Sequence, residues 1–548
     1  MQKNCSCIQG LNLNDREAPG QDDDRKGRIA MDIKIIHQTS RSIGIEICDG
    51  GIFRTRERYD ILVNGREYGT TNRVVTGIYE LKPDTEYILT VRGRAEEAEV
   101  AVRTAVETYS LNVRDFGAKG DGMSDDTCCI QAAIMACPRG GRVYLPEGIY
   151  RITSLFLKSN LNIEIGKGAV LKADTERERR PVMPGRIQSY DETGEYNLGT
   201  WEGNPLDMFA AVIHGIDVEN VTIYGQGTLD GSTDGTNWWL EPKKRRIAWR
   251  PRLVFLSHCR NITMEGIHLQ NSPSWTVHPY FCENLRFVNL SIVNPKDSPN
   301  TDALNPESCR KVEILGIYFS VGDDCIAIKS GKIYMGARYR TPSEDITIRQ
   351  CCMRDGHGCV TIGSEMAGGV RNVTVRDCRF IDTDRGLRIK TRRGRGKDAI
   401  IDDILFENIL MDGVKTPLAI NCFYFCDPDG HTSYVQSREP MPVDERTPEI
   451  RSLAFRKLEC RNCHIAAVYI QGLPEQRIKK ISLEDTSFSF AGETQPGLPE
   501  MLDGILPVSS QGICINNVEE LVLDRVSVEG QSGEAFLLQN IGRQEVHP

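Results

Sequence analysis

The segment RNITMEGIHLQNS, residues 260–272, contains the pattern that decides the fold of this chain. It begins with two polar residues, continues with alternating apolar residues and ends in a turn. Similar segments begin at residues 283 (ENLRFVNLSIVNP) and 310 (RKVEILGIYFSVG), so consecutive starts are 23 and then 27 residues apart. Short strands that recur at a period of about 20 to 50 residues are typical of a solenoid, in which each unit buries its apolar face against its neighbours.

The same motif continues on both sides of these three copies. An earlier copy is ENVTIYGQGTLDG (219–231), and clear later copies are EDITIRQCCMRDG (344–356), RNVTVRDCRFIDT (371–383) and DDILFENILMDGV (402–414). Most repeats are not separated by a helical pattern, which argues against a leucine-rich horseshoe or an α/β sheet. The sequence therefore predicts an all-β protein built on a right-handed parallel β-helix.

The N-terminal part follows a different pattern. Residues 31–106 contain short strands between turn residues, which predicts a small β-sandwich. LKPDTEYILTV (81–91) resembles the corner of fibronectin type III domains, with Tyr87 as the corner tyrosine. We expect residues 1–30 to be disordered and residues 107–548 to form the parallel β-helix domain, with an amphipathic helix near 125–137 covering its open end.

Composition excludes several classes of protein. The 548 residues include 67 basic and 76 acidic side chains, giving a net charge of −9. This disfavours a nucleic-acid partner, because phosphate binding needs a basic surface. No apolar run approaches the roughly 18 residues of a membrane span, so no membrane partner is expected. The first residues lack the apolar core of a secretory signal, which favours a cytoplasmic location, although secretion stays open.

The 19 cysteines are scattered through the predicted strands. Reduced thiols are expected in the absence of an export signal, and disulfides are the alternative. Cys259, Cys282 and Cys309 each precede a repeat start by one residue, so we expect them to stack as a ladder on successive coils. Cys460 and Cys463 form a single C-x-x-C pair, without the second pair that a zinc ribbon needs.

Charged residues recur at intervals of about one coil. Asp302 and Asp323 are 21 positions apart, His357 follows Asp324 by 33, and Arg388 follows His357 by 31. Equivalent positions on consecutive coils lie about 4.8 Å apart, so these side chains can share one line on the outer wall. Each aspartate taken alone is more typical of a turn, and it is the joint spacing that favours a site.

Local patterns refine this placement. In LRIKT, Ile389 is expected to face the interior, which places Arg388 and Lys390 outward together. Asp323 and Asp324 cannot both face outward from a regular strand, so we expect a turn or bulge after Gly322.

Four blocks in this region resemble the signature blocks of polygalacturonases, glycoside hydrolase family 28, in the same order. They are SPNTDALNPESC (298–309), GDDCIAIKSG (322–331), DGHGCVTIGSE (355–365) and RGLRIKTRRGRG (385–396). NVRDFGAKGDG (112–122) and SPSWTVHP (272–279) are also similar to the pectin-lyase-like superfamily and to this family. Ala303 stands where many relatives have glycine.

The resemblance implies a role for each matched residue. Asp323 is the general acid, and Asp302 and Asp324 hold and deprotonate the attacking water. His357 tunes the acid, Arg388 and Lys390 bind the substrate carboxylate, and Tyr424 stacks on the sugar. It implies inverting hydrolysis of α-1,4-galacturonosyl linkages in polygalacturonate or its oligomers, without a metal or other cofactor. General chemistry agrees that such hydrolysis needs two carboxyl groups of different pKa.

The mode of cleavage depends on the shape of the groove. Relatives with an added fibronectin-like domain and long loops tend to be exo-acting, and residues 179–208 and 231–252 are long insertions on early coils. We therefore expect an exo-acting enzyme. Endo action, rhamnogalacturonan or xylogalacturonan as substrate, a calcium-dependent pectate lyase and a non-catalytic β-helix that binds carbohydrate are the alternatives. The seven cations of residues 385–397 are expected to compensate locally for the net negative charge.

Overall fold

A computed structural model describes residues 31–186, 197–494 and 496–547. It is a right-handed parallel β-helix that carries a small β-sandwich at its N-terminal end, as predicted. The expected disorder of residues 1–30 lies outside the described residues. No helix in the described part is long and apolar enough to cross a membrane.

The N-terminal unit consists of a three-stranded and a four-stranded antiparallel sheet. Its strands are Asp32–Gln38, Ile43–Cys48, Arg54–Val63, Arg66–Arg73, Val75–Ile78, Glu86–Arg92 and Glu97–Arg103. The sheets enclose a separate apolar core. Tyr87 is buried, and its hydroxyl accepts a hydrogen bond of 2.9 Å from the backbone N–H of Lys82. This bond suits a tyrosine corner, while the fibronectin resemblance itself stays a prediction.

The β-helix contains three parallel sheets that run along its axis. Strands of the first sheet are Ser110–Asn112, Arg142–Leu145, Leu161–Ile165, Glu219–Gly225, Arg260–Glu265, Glu283–Val288, Arg310–Leu315 and Ser343–Arg349. Strands of the second are Asp121–Asp125, Gly148–Ile152, Ala169–Ala173, Thr228–Asp230, His268–Gln270, Ser291–Val293, Tyr318–Ser320 and Cys352–Arg354. Strands of the third are Leu155–Phe156, Ile213–Ile216, Val254–Ser257, Val277–Tyr280, Ile326–Ile328, Val360–Gly363, Arg385–Lys390, Thr416–Asn421 and Ala466–Gln471.

Later coils merge the first two sheets into long bent strands. These are Val370–Ile381, Ile400–Asp412, Ser452–Cys463 and Ile478–Phe490, with Glu449–Ile450 beside them, and Gln511–Glu529 and Phe536–His547 complete the last coils. The short antiparallel pair Val182–Met183 and Met208–Phe209 belongs to the first insertion. The helices are Thr127–Ala136, Ile333–Tyr339 and Ser433–Gln436, with 3₁₀ turns at Val113–Phe116 and Arg177–Arg179.

The stacked coils share one apolar core that extends from Val113 to Leu523. The helix Thr127–Ala136 covers the first coil, because its Ile130 and Ile134 belong to that core. The repeated apolar residues align in register, so the apolar side chains of each coil pack against those of the next coil. One such column contains Val221, Ile262, Leu285, Val312, Ile346, Val373, Ile404, Leu453, Ile481 and Leu521.

The expected cysteine ladder is present. Cys259, Cys282 and Cys309 are buried on consecutive coils, and the backbone N–H of Cys259 lies 3.3 Å from the Cys282 sulfur. The same contact joins Cys282 to the Cys309 sulfur at 3.4 Å. All cysteines of the described residues are free thiols.

Candidate active site

The register of the coils brings two of the predicted aspartates together. Leu304 pairs in parallel with Ile326 on the next coil. Asp302 and Asp324 each lie two residues before these partners, so they occupy equivalent positions on adjacent coils. The sequence spacing had suggested Asp323 as the neighbour of Asp302, and the true offset is one residue longer. All three carboxylates still converge, with one oxygen from each within 4.8 Å of the others.

His357 belongs to the following coil, level with Asp323. Val360 pairs with Ile326, and His357 and Asp323 each lie three residues before that pair. The backbone N–H of His357 donates to the Asp323 carbonyl at 3.1 Å. Its ring Nδ1 lies 2.7 Å from a carboxylate oxygen of Asp384, which raises the pKa of His357. His357 is therefore held near Asp323, and its raised pKa favours the charged form of the ring.

A bend at Gly322 presents both neighbouring aspartates to the same cleft. It lies between the strands Tyr318–Ser320 and Ile326–Ile328, where the chain leaves one sheet for the next. A Cβ at Gly322 would lie 2.4 Å from the Ser298 carbonyl oxygen, so only glycine allows this approach. The expected turn after Gly322 therefore exists, and it avoids burying either carboxylate in the apolar interior.

The three carboxyls differ sharply in their electrostatic environment. Burial and the charge of Asp323 raise the pKa of Asp302 to about 8. Burial and the charge of Asp324 also raise the pKa of Asp323. Burial opposes the charge of Asp324 as well, but Lys390 and Arg388 bring its pKa down to about 2. The cluster at neutral pH thus contains one ionised carboxylate beside two that favour protonation.

Lys390 is the direct partner of that ionised carboxylate. Its ammonium donates to Asp324 Oδ2 at 2.7 Å, and the guanidinium Nη1 of Arg388 lies 3.8 Å from Oδ1. Ile389 between them lies in the apolar core, as the sequence pattern predicted. Asp324 Oδ1 is buried and accepts no hydrogen bond from the described residues.

Arg388 has a second partner that the sequence did not reveal. Its Nε and Nη2 donate to the two carboxylate oxygens of Glu500 at 2.9 and 2.7 Å. Both residues are buried. Burial alone would raise the pKa of Glu500, but the pairing with Arg388 has the larger effect and lowers it. Arg388 therefore lies beneath the cleft wall, whereas Lys390 and Tyr424 line the cleft itself.

Aromatic and charged side chains complete the cleft around the aspartates. Tyr424 lies with its ring centroid 5.7 Å from the Lys390 ammonium. Trp275 lies 4.5 Å from the Lys329 ammonium, and Lys329 also pairs with Glu365 at 2.8 Å. Other lining residues are Glu202, Lys243, Asn300, Lys332, Ser364, Cys426 and Asp427.

The basic stretch 385–397 is neutralised by acids from distant parts of the chain. Each buried arginine that follows Lys390 pairs with at least one carboxylate, and two of them share Asp427, so these cations do not form a free basic wall. The pairs are Arg392 with Asp427 and Asp429, Arg393 with Glu475, and Arg395 with Asp427. Of the other basic stretch, 242–252, Lys243 reaches the cleft, while Arg250 and Arg252 are buried. The expected local compensation of charge by residues 385–397 reaches the cleft through Lys390.

The carboxylate cluster has the oxygen atoms of a cation site but an unsuitable charge. Hard cations bind ionised oxygen ligands. Asp302 and Asp323 favour protonation, and the ammonium of Lys390 already neutralises Asp324 at 2.7 Å. The arrangement suits proton transfer between carboxyls better than the binding of calcium.

Comparisons with known proteins agree with this geometry. Residues 191–438 match the model of glycosyl hydrolases family 28. This match assigns the part of the chain that contains the carboxylate cluster to glycoside hydrolase family 28. Residues 110–239 match the model of rhamnogalacturonase A/epimerase, pectate lyase-like proteins, which covers the first coils of the β-helix.

Individual relatives carry the name polygalacturonase. A probable polygalacturonase of Vitis vinifera is 29% identical over 412 residues, which cover 74% of this chain and 79% of the relative. An endo-polygalacturonase of Pectobacterium parmentieri is 29% identical over 316 residues, covering 55% of this chain and 73% of the relative. The chain is therefore similar over most of its length to proteins that are named polygalacturonases.

Two solved structures share the fold. A hyperthermoactive exopolygalacturonase of Thermotoga maritima superposes with a TM-score of 0.62 and 27% identity, covering 77% of this chain and 92% of that chain. An exopolygalacturonase of Yersinia enterocolitica superposes with a TM-score of 0.69 and 17% identity, covering 95% and 99% of the two chains. The similarity to the Yersinia enterocolitica structure extends over nearly the whole chain and concerns the fold alone.

Proposed function

We propose that the enzyme hydrolyses α-1,4-galacturonosyl linkages in polygalacturonate or its oligomers. One observation carries this proposal: Asp302, Asp323 and Asp324 converge with opposite pKa shifts beside the ammonium of Lys390. Glycoside hydrolysis needs a carboxyl that keeps its proton and a carboxylate that does not. The names of the relatives support galacturonan as the substrate.

In this proposal Asp323 is the general acid. It is more exposed than the other two, and burial together with the charge of Asp324 raises its pKa, which favours the protonated form. Asp302 and Asp323 titrate together, because burial and then the charge of Asp323 raise the pKa of Asp302. A proton on Asp323 removes that charge and so favours ionised Asp302. Asp302 and Asp324 then accept hydrogen bonds from the attacking water and remove its proton. Asn305 fixes Asp302 by donating to its Oδ2 at 3.0 Å.

The substrate carboxylate is bound by cations near the cleft floor. Lys390 lines the cleft, and Arg388 adds a second positive charge from beneath it. The ring of Tyr424 offers a face for the sugar between these charges and the rim. A neutral sugar lacks the group that these cations attract, so this arrangement supports a uronate at the cleaved position.

We also propose that the reaction inverts the anomeric centre, and this rests on the family resemblance. Inverting enzymes commonly separate their acid and base by roughly 6.5 to 9.5 Å to make room for water. Here the nearest carboxylate oxygens lie within 4.8 Å, which a water with two hydrogen bonds of about 2.8 Å can bridge. The separation therefore does not carry the assignment, and proton NMR of the first-formed anomer tests it directly.

Exo action is supported by the loops at one end of the cleft. Lys243 of the second insertion donates to Glu202 of the first at 3.3 Å. The carbonyl of Gly203 accepts from the backbone N–H of Lys332 at 3.3 Å, and a Cβ on Gly203 would lie 2.8 Å from the Glu365 side chain. These contacts join both insertions to the cleft residues, and such a wall favours binding of chain ends. Part of the first insertion, residues 187–196, lies outside the described residues.

The catalytic assignment is tested by replacing the acid and its partner. Asp302→Asn and Asp323→Asn should each lower reducing-sugar release from polygalacturonate by at least about 100-fold, because each removes a proton-transfer group. Asp355→Asn is the matched control, since Asp355 lies on the coil that follows Asp323 and its carboxylate accepts a hydrogen bond of 2.8 Å from the Ser320 hydroxyl. Near-normal turnover by Asp323→Asn would refute the assignment, and a wild type that binds without turnover would indicate a carbohydrate-binding protein.

The mode of cleavage is tested by the products of the wild type. Exo action should release mono- or digalacturonate from the first minutes, while the viscosity of the polymer falls slowly. Early oligomers of intermediate length would show endo action. Rhamnogalacturonan and xylogalacturonan, assayed in parallel, should be cleaved more slowly.

A further inference from the structure

A second cavity, lined mainly by basic residues, lies where the β-sandwich meets the β-helix. It has a volume of about 510 Å³, which is within the range of ligand sites. The strand Arg54–Val63 supplies one side and Arg379 with Leu410 the other. The remaining lining residues are Gly50, Ile52, Thr55, Glu57 and Asn72. None of the catalytic residues belongs to it.

Positive charge dominates this cavity. Four arginines face it, Arg54, Arg56, Arg58 and Arg379, against the single acid Glu57. Arg94 binds that acid from outside, with its backbone N–H 3.2 Å from the carboxylate. Four guanidinium groups with one shared acid are a concentration of cations that is unusual in a chain of net charge −9.

Arg58 donates to the Thr70 hydroxyl, whereas two other arginines of the cavity have no side-chain partner among the described residues. Across the described ranges, the guanidinium groups of Arg56 and Arg379 make no hydrogen bond and no ion pair. Other arginines of the sandwich do find acids: Arg41 pairs with Glu107 at 2.6 Å and Arg103 with Asp84 at 3.0 Å. The two unpaired groups face one concave space from two different domains, which is the arrangement of an anion site.

We propose that this cavity binds the carboxylates of an acidic oligosaccharide outside the catalytic cleft. Arginine binds carboxylates through two parallel hydrogen bonds, and the exposed amide of Asn72 can bind a sugar hydroxyl. Arg379 lies five residues before Asp384, the partner of His357, so the Cα atoms of Arg379 and Asp384 are at most about 18 Å apart. The choice of a uronate as the ligand rests on the proposed function, whereas the cavity itself does not.

Titration of an inactive enzyme tests the proposal. Asp323→Asn, with the full chain present, should bind hexagalacturonate at two sites in calorimetry. Adding Arg56→Gln and Arg379→Gln should weaken the second site at least tenfold and leave the first unchanged. The matched control carries Arg103→Gln and Arg310→Gln, which remove two charges from exposed ion pairs elsewhere. On the active background, the cavity variant should raise KM for polygalacturonate and leave turnover of digalacturonate unchanged.

Each outcome decides the proposal. Two unchanged sites in the cavity variant would overturn it, as would an equal loss in the matched control. Tight binding of inorganic phosphate that hexagalacturonate does not displace would also overturn it, by showing a general anion site. If the wild type does not hydrolyse galacturonan but the cavity variant loses binding, the cavity proposal stands and the proposed function fails.

Discussion

Single residues divide the labour among three neighbouring carboxyls. The pKa of Asp324 is lowered because Lys390 and Arg388 outweigh its burial, whereas at Asp302 and Asp323 burial and neighbouring aspartates outweigh the nearby cations and raise the pKa. The charge of Asp324 thus adds to burial in favouring a proton on Asp323. The proximity of these groups is therefore the source of their different roles.

The pH dependence of the enzyme should follow from this coupling. In the proposed mechanism Asp323 must keep its proton. The value of kcat/KM should therefore fall as the pH rises through the pKa of Asp323. His357 favours ionised Asp323 and lowers its pKa, so His357→Asn should raise that pKa. The alkaline limb of the kcat/KM profile should then move to higher pH, even as the overall rate falls.

A second histidine provides the control for this shift. His431 pairs with Asp503 at 3.0 Å on the surface, so His431→Asn removes a similar pair outside the cleft. Its profile should match that of the wild type. A His357→Asn profile with an unmoved or acid-shifted alkaline limb would contradict the assigned coupling.

Glu500 should be a positioning residue for the cationic side of the site. Glu500→Gln leaves the buried Arg388 without its full partner, which typically costs about 3 to 5 kcal/mol for a buried pair. Released from this pair, Arg388 no longer lies fixed beneath Asp324, so we expect KM for galacturonan to rise and the melting temperature to fall.

The pair of Arg393 and Glu475 separates these two effects. Arg393 is also buried and binds both oxygens of Glu475, at 2.6 and 2.8 Å, but it does not line the cleft. Glu475→Gln should therefore lower the melting temperature without raising KM. An equal rise of KM in both variants would reduce Glu500 to a general structural role.

The sequence predicted the part of the site that depends on spacing along the coils. Asp302, Asp323 and Asp324 could be placed because one coil has a recognisable length in the repeat pattern. Glu500 could not, because its contact with Arg388 spans 112 positions and a loop with no repeat pattern. Asp384 could have been identified as a candidate, since it directly precedes the block RGLRIKTRRGRG. A short TD dipeptide is also typical of an ordinary turn, however, so the sequence alone does not single it out.

At the scale of elements, the repeated asparagines explain why the period was legible. Asn220, Asn261 and Asn284 occupy the same corner of successive coils, each with a positive φ between 54° and 57°. Asn261 donates to Asn220 at 2.9 Å, and Asn284 donates to Asn261 at 2.6 Å. Asparagine tolerates this backbone conformation, and its side-chain amide hydrogen-bonds to the asparagine of the neighbouring coil. The same residue type therefore recurs at this corner, which makes the repeat recognisable in the sequence.

The insertions follow the opposite logic. Their length could be read from the sequence, but their path depends on individual contacts, such as the bond from Lys243 to Glu202. The expected basic face of residues 385–397 illustrates the same limit. The cations were visible in the sequence, whereas the acids that neutralise them come from positions 427, 429, 445, 475 and 500.

At the scale of the whole molecule, the sandwich is fixed to a wall that does not contain the cleft. Val74 and Val75 pack against Val288 and Leu315, where strands of the first sheet end. Polar contacts surround this patch: Tyr79 with Glu265 at 2.5 Å, Arg349 with Glu46 at 2.5 Å, and Arg286 with the Ile36 carbonyl at 2.7 Å. The three aspartates of the cleft precede strands of the third sheet, so the sandwich and the cleft lie at different corners of the same coils.

This docking should depend on Gly316, whose φ is 67° and whose added Cβ would lie 2.4 Å from Val75. Gly316→Ala should push the sandwich away and speed hydrogen exchange at the Val74 and Val75 amides, while digalacturonate turnover stays unchanged. Gly530→Ala is the control, because Gly530 has a φ of 77° and its added Cβ would meet nothing closer than 3.6 Å. Both variants pay a backbone strain of about 1 to 2 kcal/mol, so only the loss of docking distinguishes them. Equal exchange rates in the two variants would place the attachment of the sandwich in its polar contacts instead.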